Sequence, residues 1–463
     1  MVTIDTKHWE SRFAELVEKH GVPGAQLGIL VLGKDGADDQ VFTTATGVLH
    51  AGLGNPATTD ALFQIGSVSK VWTATVVMQL IEEGRFALDT PVIEILPDLQ
   101  LSDPDVTKKV TIWNLLTHTS GIDGDVFTDT GRGDDAIEKY VAQLGDVQQN
   151  HPLGATWSYC NSGWSVLGRV IEVTTGMTWD QAMQEKLFAP LGLTHTVTLP
   201  DDVLAFAHSM GHMKGGDEPQ VAPVWGGLPR AIAPAGLINA RVEDVLKFAR
   251  MHLVGGVAED GTRVLSEESV ATMADFQTEC PEKILLGDSW GLGWFRCDWN
   301  GARAIGHDGN TIGQAAFLRL LPEAGIAVAV NTNVGSAIPL YQDLYEEIFK
   351  ALADVDLPDR FVVPEEAPAA DITPYAGTYE RASVTIDVYE EDGKAKMRMS
   401  LKGAIAELEG AEPEVEELHP VDGGALFAIH PADMDMDVPV RFYSLPTGEE
   451  YVHFGARATP KKA

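Results

Sequence analysis

A serine and a lysine three residues apart, Ser67 and Lys70, stand where the apolar run Leu62-Phe63-Gln64-Ile65 meets Gly66 and a longer apolar stretch begins. Residues i and i+3 share a helix face, so this spacing lets a lysine amine reach a serine hydroxyl. The chemistry would be nucleophilic acyl transfer. A serine hydroxyl attacks a carbonyl only when a base takes its proton, and a lysine is that base when burial or nearby positive charge brings its pKa down towards neutrality. A helix start adds N–H donors and a partial positive charge, and the backbone N–H of Ser67 could serve in an oxyanion hole. Ser-x-x-Lys arises by chance about once in a chain of this length, so other residues have to decide.

Two further groups bear on it. Tyr159 and Asn161 lie two apart in the turn-rich stretch 152–162, on the same side if that stretch is extended. A phenol can relay a proton and an amide can hold a carbonyl. His307-Asp308-Gly309 sits in a strand-like run, Ala304 to Thr311, whose glycines permit close backbone approach to a ligand. His118, in Leu115-Leu-Thr-His-Thr-Ser-Gly-Ile122, is a candidate catalytic histidine, but reads better as a loop histidine bonded to backbone. His208 and His212 have metal-ligand spacing, but Gly211 and the glycines after Lys214 make the segment a loop. No metal or cofactor is expected.

The elements that must carry these residues follow from periodicity. Trp9, Phe13, Leu16 and Val17 form the stripe of an amphipathic opening helix between Thr6 and His20. Ala25 to Leu32 and Gln40 to Thr46 flank Gly33-Lys34-Asp35-Gly36 as a hairpin. Ser67 opens a helix through Val76, Val77, Leu80 and Ile81; a second runs from about Trp164 to Val173, and the turn Pro234-Ala-Gly236 leads into a third. Ala304–Thr311, Gln314–Leu321 and Ile326–Asn331 read as antiparallel strands, with His307-Asp308-Gly309 at an edge. Residues 357–371, rich in Pro, Glu and Ala, read as a linker. Short alternating runs beyond it, such as Val384–Tyr389, Lys396–Leu401 and Val440–Leu445, suggest a small β-barrel or sandwich.

At 463 residues, two domains are expected. The net charge of -35 argues against nucleic acid and anionic membranes as partners. The first residues lack the pattern of a signal peptide and no apolar run has transmembrane length, so a cytoplasmic location is expected. The three scattered cysteines agree with a reducing compartment.

Ser67-x-x-Lys70, Tyr159-x-Asn161 and His307-Asp308-Gly309, in that order, resemble the three signature elements of the class C β-lactamase, penicillin-binding-protein and esterase superfamily of serine hydrolases. The chain contains no other Ser-x-x-Lys or Tyr-x-Asn. The phrases Leu115–Ile122, Leu167–Gly176 and Pro190-Leu-Gly-Leu193 extend the resemblance over about residues 10 to 350. It implies an α/β (α+β) domain, 1–356, with an antiparallel sheet beside a helical cluster. It also implies that Ser67 is acylated, that Lys70 accepts its proton, that Tyr159 protonates the leaving group and that Asn161 orients the substrate carbonyl. The N–H of Asn310 would complete the oxyanion hole with that of Ser67, and Asp308 and Gly309 would line the substrate site. Lactamases usually carry Lys-Thr-Gly where this chain has His307-Asp308-Gly309, so a permanent charge is replaced by one expected to titrate near neutrality.

Residues 372–463, from Tyr375-Ala-Gly-Thr-Tyr379 to His453-Phe-Gly-Ala-Arg457, resemble the lipocalin-like barrel attached to some of these peptidases. The two-domain layout is similar to the penicillin-binding-protein-type thioesterases that release and cyclise nonribosomal peptides. By that resemblance Arg457 would help to hold substrate. A peptidyl carrier protein would be one partner, although the acidic surface argues against its docking. The expected substrate is a peptide or peptidyl (thio)ester with a D-residue at the scissile end, resolved by an amine (a cyclase) or by water (a D-peptidase). A carboxylesterase or lactamase-like hydrolase of small esters or amides is the alternative.

Overall fold

The computed structural model describes residues 3–34, 36–215, 218–335, 337–366, 368–403, 406, 412–431 and 436–462. The chain divides into two compact units that do not follow chain order: 1–86 with 171–276 and 291–358, and 87–170 with 277–290 and 359–463.

In the first unit the opening helix is Thr6–Lys19, its N-terminus capped by the Asp5 carboxylate, which accepts from the N–H of His8 at 3.1 Å. The expected hairpin forms as strands Gly24–Val31 and Gln40–His50, with Val31 opposite Gln40. An antiparallel sheet runs in the order Asn55–Pro56, Gln40–His50, Gly24–Val31, Ile326–Thr332, Gln314–Leu321, Ala302–Thr311, Phe295–Trp299. Its three central strands are buried at every position, which is why they read as continuous apolar runs rather than alternating ones. Leu27, Ile29, Val328 and Val330 pack with Trp9 and Phe13 of the opening helix and with Leu340, Leu344 and Ile348 of helix Ile338–Ala353. Gly28 points the other way, where a Cβ would come within 2.9 Å of Val242 and Leu246 on helix Val242–Leu253. The absent side chain lets that helix lie close on the sheet. Helix Ser69–Glu82 buries nearly every residue and is a core helix, not a surface one.

In the second unit, short helices Pro104–Lys109, Ile112–Leu116 and Ala136–Val141 and the start of helix Asn161–Thr175 accompany two antiparallel sheets. One sheet has the order Gly377–Arg381, Val384–Glu391, Lys394–Leu401, Glu414–Glu417. The other runs His419–Pro420, Leu426–Ile429, Val438–Ser444, Glu450–Phe454, Arg457–Pro460. They share one core, with Ile386, Val388 and Met397 meeting Phe427, Val440, Phe442 and Val452. The small β-barrel or sandwich expected here forms, among the described residues, as two sheets packed on that core. The chain passes from one to the other at buried Leu418, and Pro420, with no N–H to donate, sits in the short strand that starts the second. The far edges meet through an isolated bridge between Tyr379 and Lys461 rather than a continued ladder.

Candidate active site

In the first unit the chain turns at Gly66, whose φ of 50° is left-handed. Residues Gly66–Val68 form a 3₁₀ turn that runs into helix Ser69–Glu82. This places the Lys70 ammonium 2.9 Å from the Ser67 hydroxyl, as the spacing requires. Lys70 is fully buried and also donates to the carbonyl of Ala235 at 2.7 Å. Thr73 donates to the neighbouring carbonyl of Pro234, and the Ser69 hydroxyl accepts from the N–H of Ile238. The stretch 234–238 therefore cradles the serine turn through backbone groups. Sequence reasoning missed this role, and the turn-forming pair Pro234 and Gly236 was the one signal of it.

Strand Ala302–Thr311 pairs with Phe295–Trp299 only as far as Gly306, so from His307 onward that side of the strand meets the serine turn instead. A Cβ on Gly309 would stand 1.9 Å from the Ile65 carbonyl oxygen and 2.8 Å from the Ser67 nitrogen. A Cβ on Gly66 would stand 2.6 Å from the Asn310 nitrogen. Two glycines thus bring the backbone of Ser67 and Asn310 into direct proximity, the arrangement two oxyanion donors need. Gly309→Ala is expected to push the strand off the serine turn. Labelling of Ser67 by a fluorophosphonate should slow by about 10²-fold or more, the usual cost of losing one such donor. A labelling rate within a few-fold of the parent would remove Asn310 from the hole.

His307 is buried, and its Nδ1–H donates to the Asp308 carbonyl at 2.6 Å, which leaves Nε2 as the acceptor nitrogen. Burial, with the Lys70 charge adding to it, lowers its pKa to about 3. The expectation that it titrates near neutrality is thereby corrected: His307 is neutral throughout the physiological range. Asp308, the next residue on the strand, faces the opposite side. Its carboxylate pairs with the buried Arg319 guanidinium, which itself lies 4.4 Å from the Phe295 ring. Gly309 meets the serine turn; the Asp308 side chain is committed elsewhere.

The second unit holds Tyr159, Asn161 and Arg457. The loop Ile122–Val126 runs against them, and Gly124 allows the approach because a Cβ there would sit 2.5 Å from the Cα of Cys160. Asn161 donates from its backbone to the Gly124 carbonyl and from its amide to the Asp125 carboxylate at 3.2 Å. Tyr159 stacks on His118 at 4.4 Å with 24° between the rings, and the N–H of Cys160 donates to His118 Nδ1. His118 is thus a positioned loop histidine that accepts from backbone. Arg457 donates from Nε and Nη2 to Asp125 at 3.0 and 2.9 Å and from Nη1 to the Gly455 carbonyl, with its guanidinium 4.9 Å from the Tyr159 ring centre. Arg381 reaches the same carboxylate. Burial alone would raise the Asp125 carboxyl, but Arg457 and Arg381 hold it at about 2.

Among the described residues no helix is long and apolar enough to cross a membrane. A beta-lactamase family profile matches residues 9–353. Penicillin-binding protein 4 of Amycolatopsis lactamdurans is 45% identical over 379 residues, which cover 81% of this chain and 98% of that protein. An unguisins hydrolase of Aspergillus campestris is 26% identical over 337 residues, covering 69% of this chain and 61% of its own length. The crystal structure of SurE, 27% identical, superposes with a TM-score of 0.78 over 99% of each chain. The structure of SurE with D-Leu superposes with a TM-score of 0.74 at the same identity and coverage.

Proposed function

Since this chain belongs to the beta-lactamase family of serine acyl-transfer enzymes, we propose that it forms an acyl-enzyme on Ser67 from a peptide or peptidyl (thio)ester with a D-residue at the scissile end. The observation that carries this reading is the Ser67 hydroxyl held 2.9 Å from a fully buried lysine amine, under a strand whose Asn310 backbone abuts it. Lys70, in its neutral form, takes the hydroxyl proton as Oγ bonds to the scissile carbonyl carbon. The backbone N–H groups of Ser67 and Asn310 stabilise the oxyanion. As the tetrahedral intermediate collapses, the bond to the leaving group breaks and Tyr159 delivers the proton that group needs. Asn161 orients the substrate carbonyl. An amine or water then attacks the ester carbon and regenerates Ser67.

The substrate class draws support from two likenesses, the solved complex of SurE with D-Leu and the unguisins hydrolase. A neutral His307 adds to it. Without a fixed cation at that position, a lactam carboxylate loses its usual partner, whereas an uncharged peptidyl ester loses nothing. The lactamase likeness favours a hydrolase of small esters or amides as the second reading.

The test is mass spectrometry after incubation with a linear peptidyl thioester that has a D-residue at its activated end and a free amino terminus. A product lighter than the linear acid by one water identifies a cyclase. Linear acid alone identifies a D-peptidase or thioesterase. No consumption, with rapid turnover of short nitrophenyl esters, would overturn the peptide reading in favour of the second one.

A further inference from the structure

Glu450–Phe454 and Arg457–Pro460 form a hairpin whose two turn residues, Gly455 and Ala456, have φ of 57° and 66°. Positive φ at both positions is the signature of a tight type I′ turn, which fixes its tip rigidly. That tip lies on the candidate proton carrier. The N–H of Tyr159 donates to the Ala456 carbonyl at 2.9 Å, and the N–H of Ala458 donates to the Ser158 hydroxyl at 3.1 Å. Arg457, the first residue after the turn, is thereby delivered to the Tyr159 ring.

We propose that Arg457 is a positioning residue for Tyr159, whose guanidinium, anchored on Asp125 and laid against the phenol ring, favours the phenolate over the phenol. The proposal rests on the reading of Tyr159 as the proton carrier. A cation in contact with an aromatic face is attracted by the neutral ring and more strongly by its anion, so removing the cation raises the proton affinity of the phenol. Both Nε and Nη2 are occupied by Asp125 and Nη1 by the Gly455 carbonyl. The fork therefore points at protein groups, and what it offers Tyr159 is charge.

The other charged and titratable groups of this unit around Tyr159 do not cancel that effect. His118 faces the Tyr159 ring with its Nδ1 accepting from the N–H of Cys160 and its Nε2 beside the indole N–H of Trp164. Burial pushes the Cys160 thiol up to about 12, so it carries no charge at neutral pH. Asp123 and Asp125 balance Arg381 and Arg457 in number, with Asp123 accepting from the N–H of Ala382 and Asp125 from both arginines. The balance is uneven in space, because it is the Arg457 guanidinium that lies against the ring.

The experiment follows the ionisation of Tyr159 directly in the full-length protein. The ζ-carbon NMR signal of Tyr159, assigned by its loss in Tyr159→Phe, is titrated with pH alongside kcat/KM on the peptidyl thioester. Arg457→Gln should raise the pH of half-ionisation by about one unit or more. Arg381 still pairs with Asp125 in that variant, so no carboxylate is stranded. Asp125→Asn, which leaves both guanidiniums in place, should move the same midpoint to lower pH. Opposite shifts from opposite charge changes are not produced by mere loosening of the fold, and either variant decides if the other fails to fold. An unmoved midpoint in a folded Arg457→Gln, or a rise in Asp125→Asn, overturns the proposal. So does a raised KM with an unmoved midpoint, which would make Arg457 a substrate-holding group. NMR shifts without a matching shift in the kcat/KM profile would keep the Arg457 coupling and instead sink Tyr159 as the proton carrier.

Discussion

Ser67→Ala should lower kcat by at least about 10⁴-fold, the scale on which removal of a catalytic nucleophile acts, while leaving the melting temperature close to that of the parent. The separation of the two effects follows from the geometry. The Ser67 side chain is only partly buried, and its hydroxyl is one partner of Lys70, which keeps the Ala235 carbonyl when the hydroxyl is gone. No core volume is lost and no buried ammonium is stranded. The nearby Ser69 cannot take over, because its hydroxyl is buried and bonded to the N–H of Ile238. Lys70→Met should fall almost as far, since the hydroxyl then has no base at 2.9 Å. Steady-state rates on the thioester and on a nitrophenyl ester, with fluorophosphonate labelling followed by intact mass, check both variants. Turnover surviving in Ser67→Ala would sink the acyl-enzyme mechanism.

What could be read from the residues, and what could not, divides along a physical line. Ser67 and Lys70 were legible because their contact is local: three residues of helix-like chain suffice to bring them together. Trp9, Phe13, Leu16 and Val17 were legible for the same reason, as the buried stripe of one helix. The period of two along a strand already separates His307 from Asp308, and the structure sends the second to Arg319. The ionisation of His307 was not legible, because the burial that lowers it comes from chain far away in sequence, and a histidine carries no mark of its surroundings. The Ala235 carbonyl was hidden more deeply, since any residue supplies a backbone acceptor. Arg457 and Asp125 lie 332 positions apart, and nothing in either segment names the other. The barrel pattern of the last strands was legible strand by strand, but the switch of sheets at Leu418 depends on which side chain turns inward.

Acid should destabilise this protein steeply between pH 7 and 5, before its carboxylates begin to protonate in number. His252, His307 and His453 have pKa values lowered to about 3 and His151 to about 4, in each case chiefly by burial. An unfolded histidine titrates near 6.5, so between that value and the folded one the unfolded chain binds more protons and stability falls as pH falls. The stabilisation is complete above about pH 6.5 and lost towards pH 3. Going from pH 7 to 5, each such histidine costs about 2 kcal/mol, and four together cost a large part of the stability of an ordinary domain. Asp125 works in a lower window: its folded pKa of about 2 lies below the unfolded value, so its contribution persists down to about pH 4 and does not soften the slope above it. Urea unfolding at the two pH values, by tryptophan fluorescence, measures the fall. His453→Phe isolates one quarter of it, since that ring is fully buried beside Trp157 and neither of its nitrogens has a hydrogen-bond partner among the described residues. The phenyl ring loses no polar contact there and never has to charge. The variant should match the parent at pH 7 and exceed it by about 2 kcal/mol at pH 5. Equal losses in the two proteins would mean that His453 is hydrated and titrates as it does in the unfolded chain.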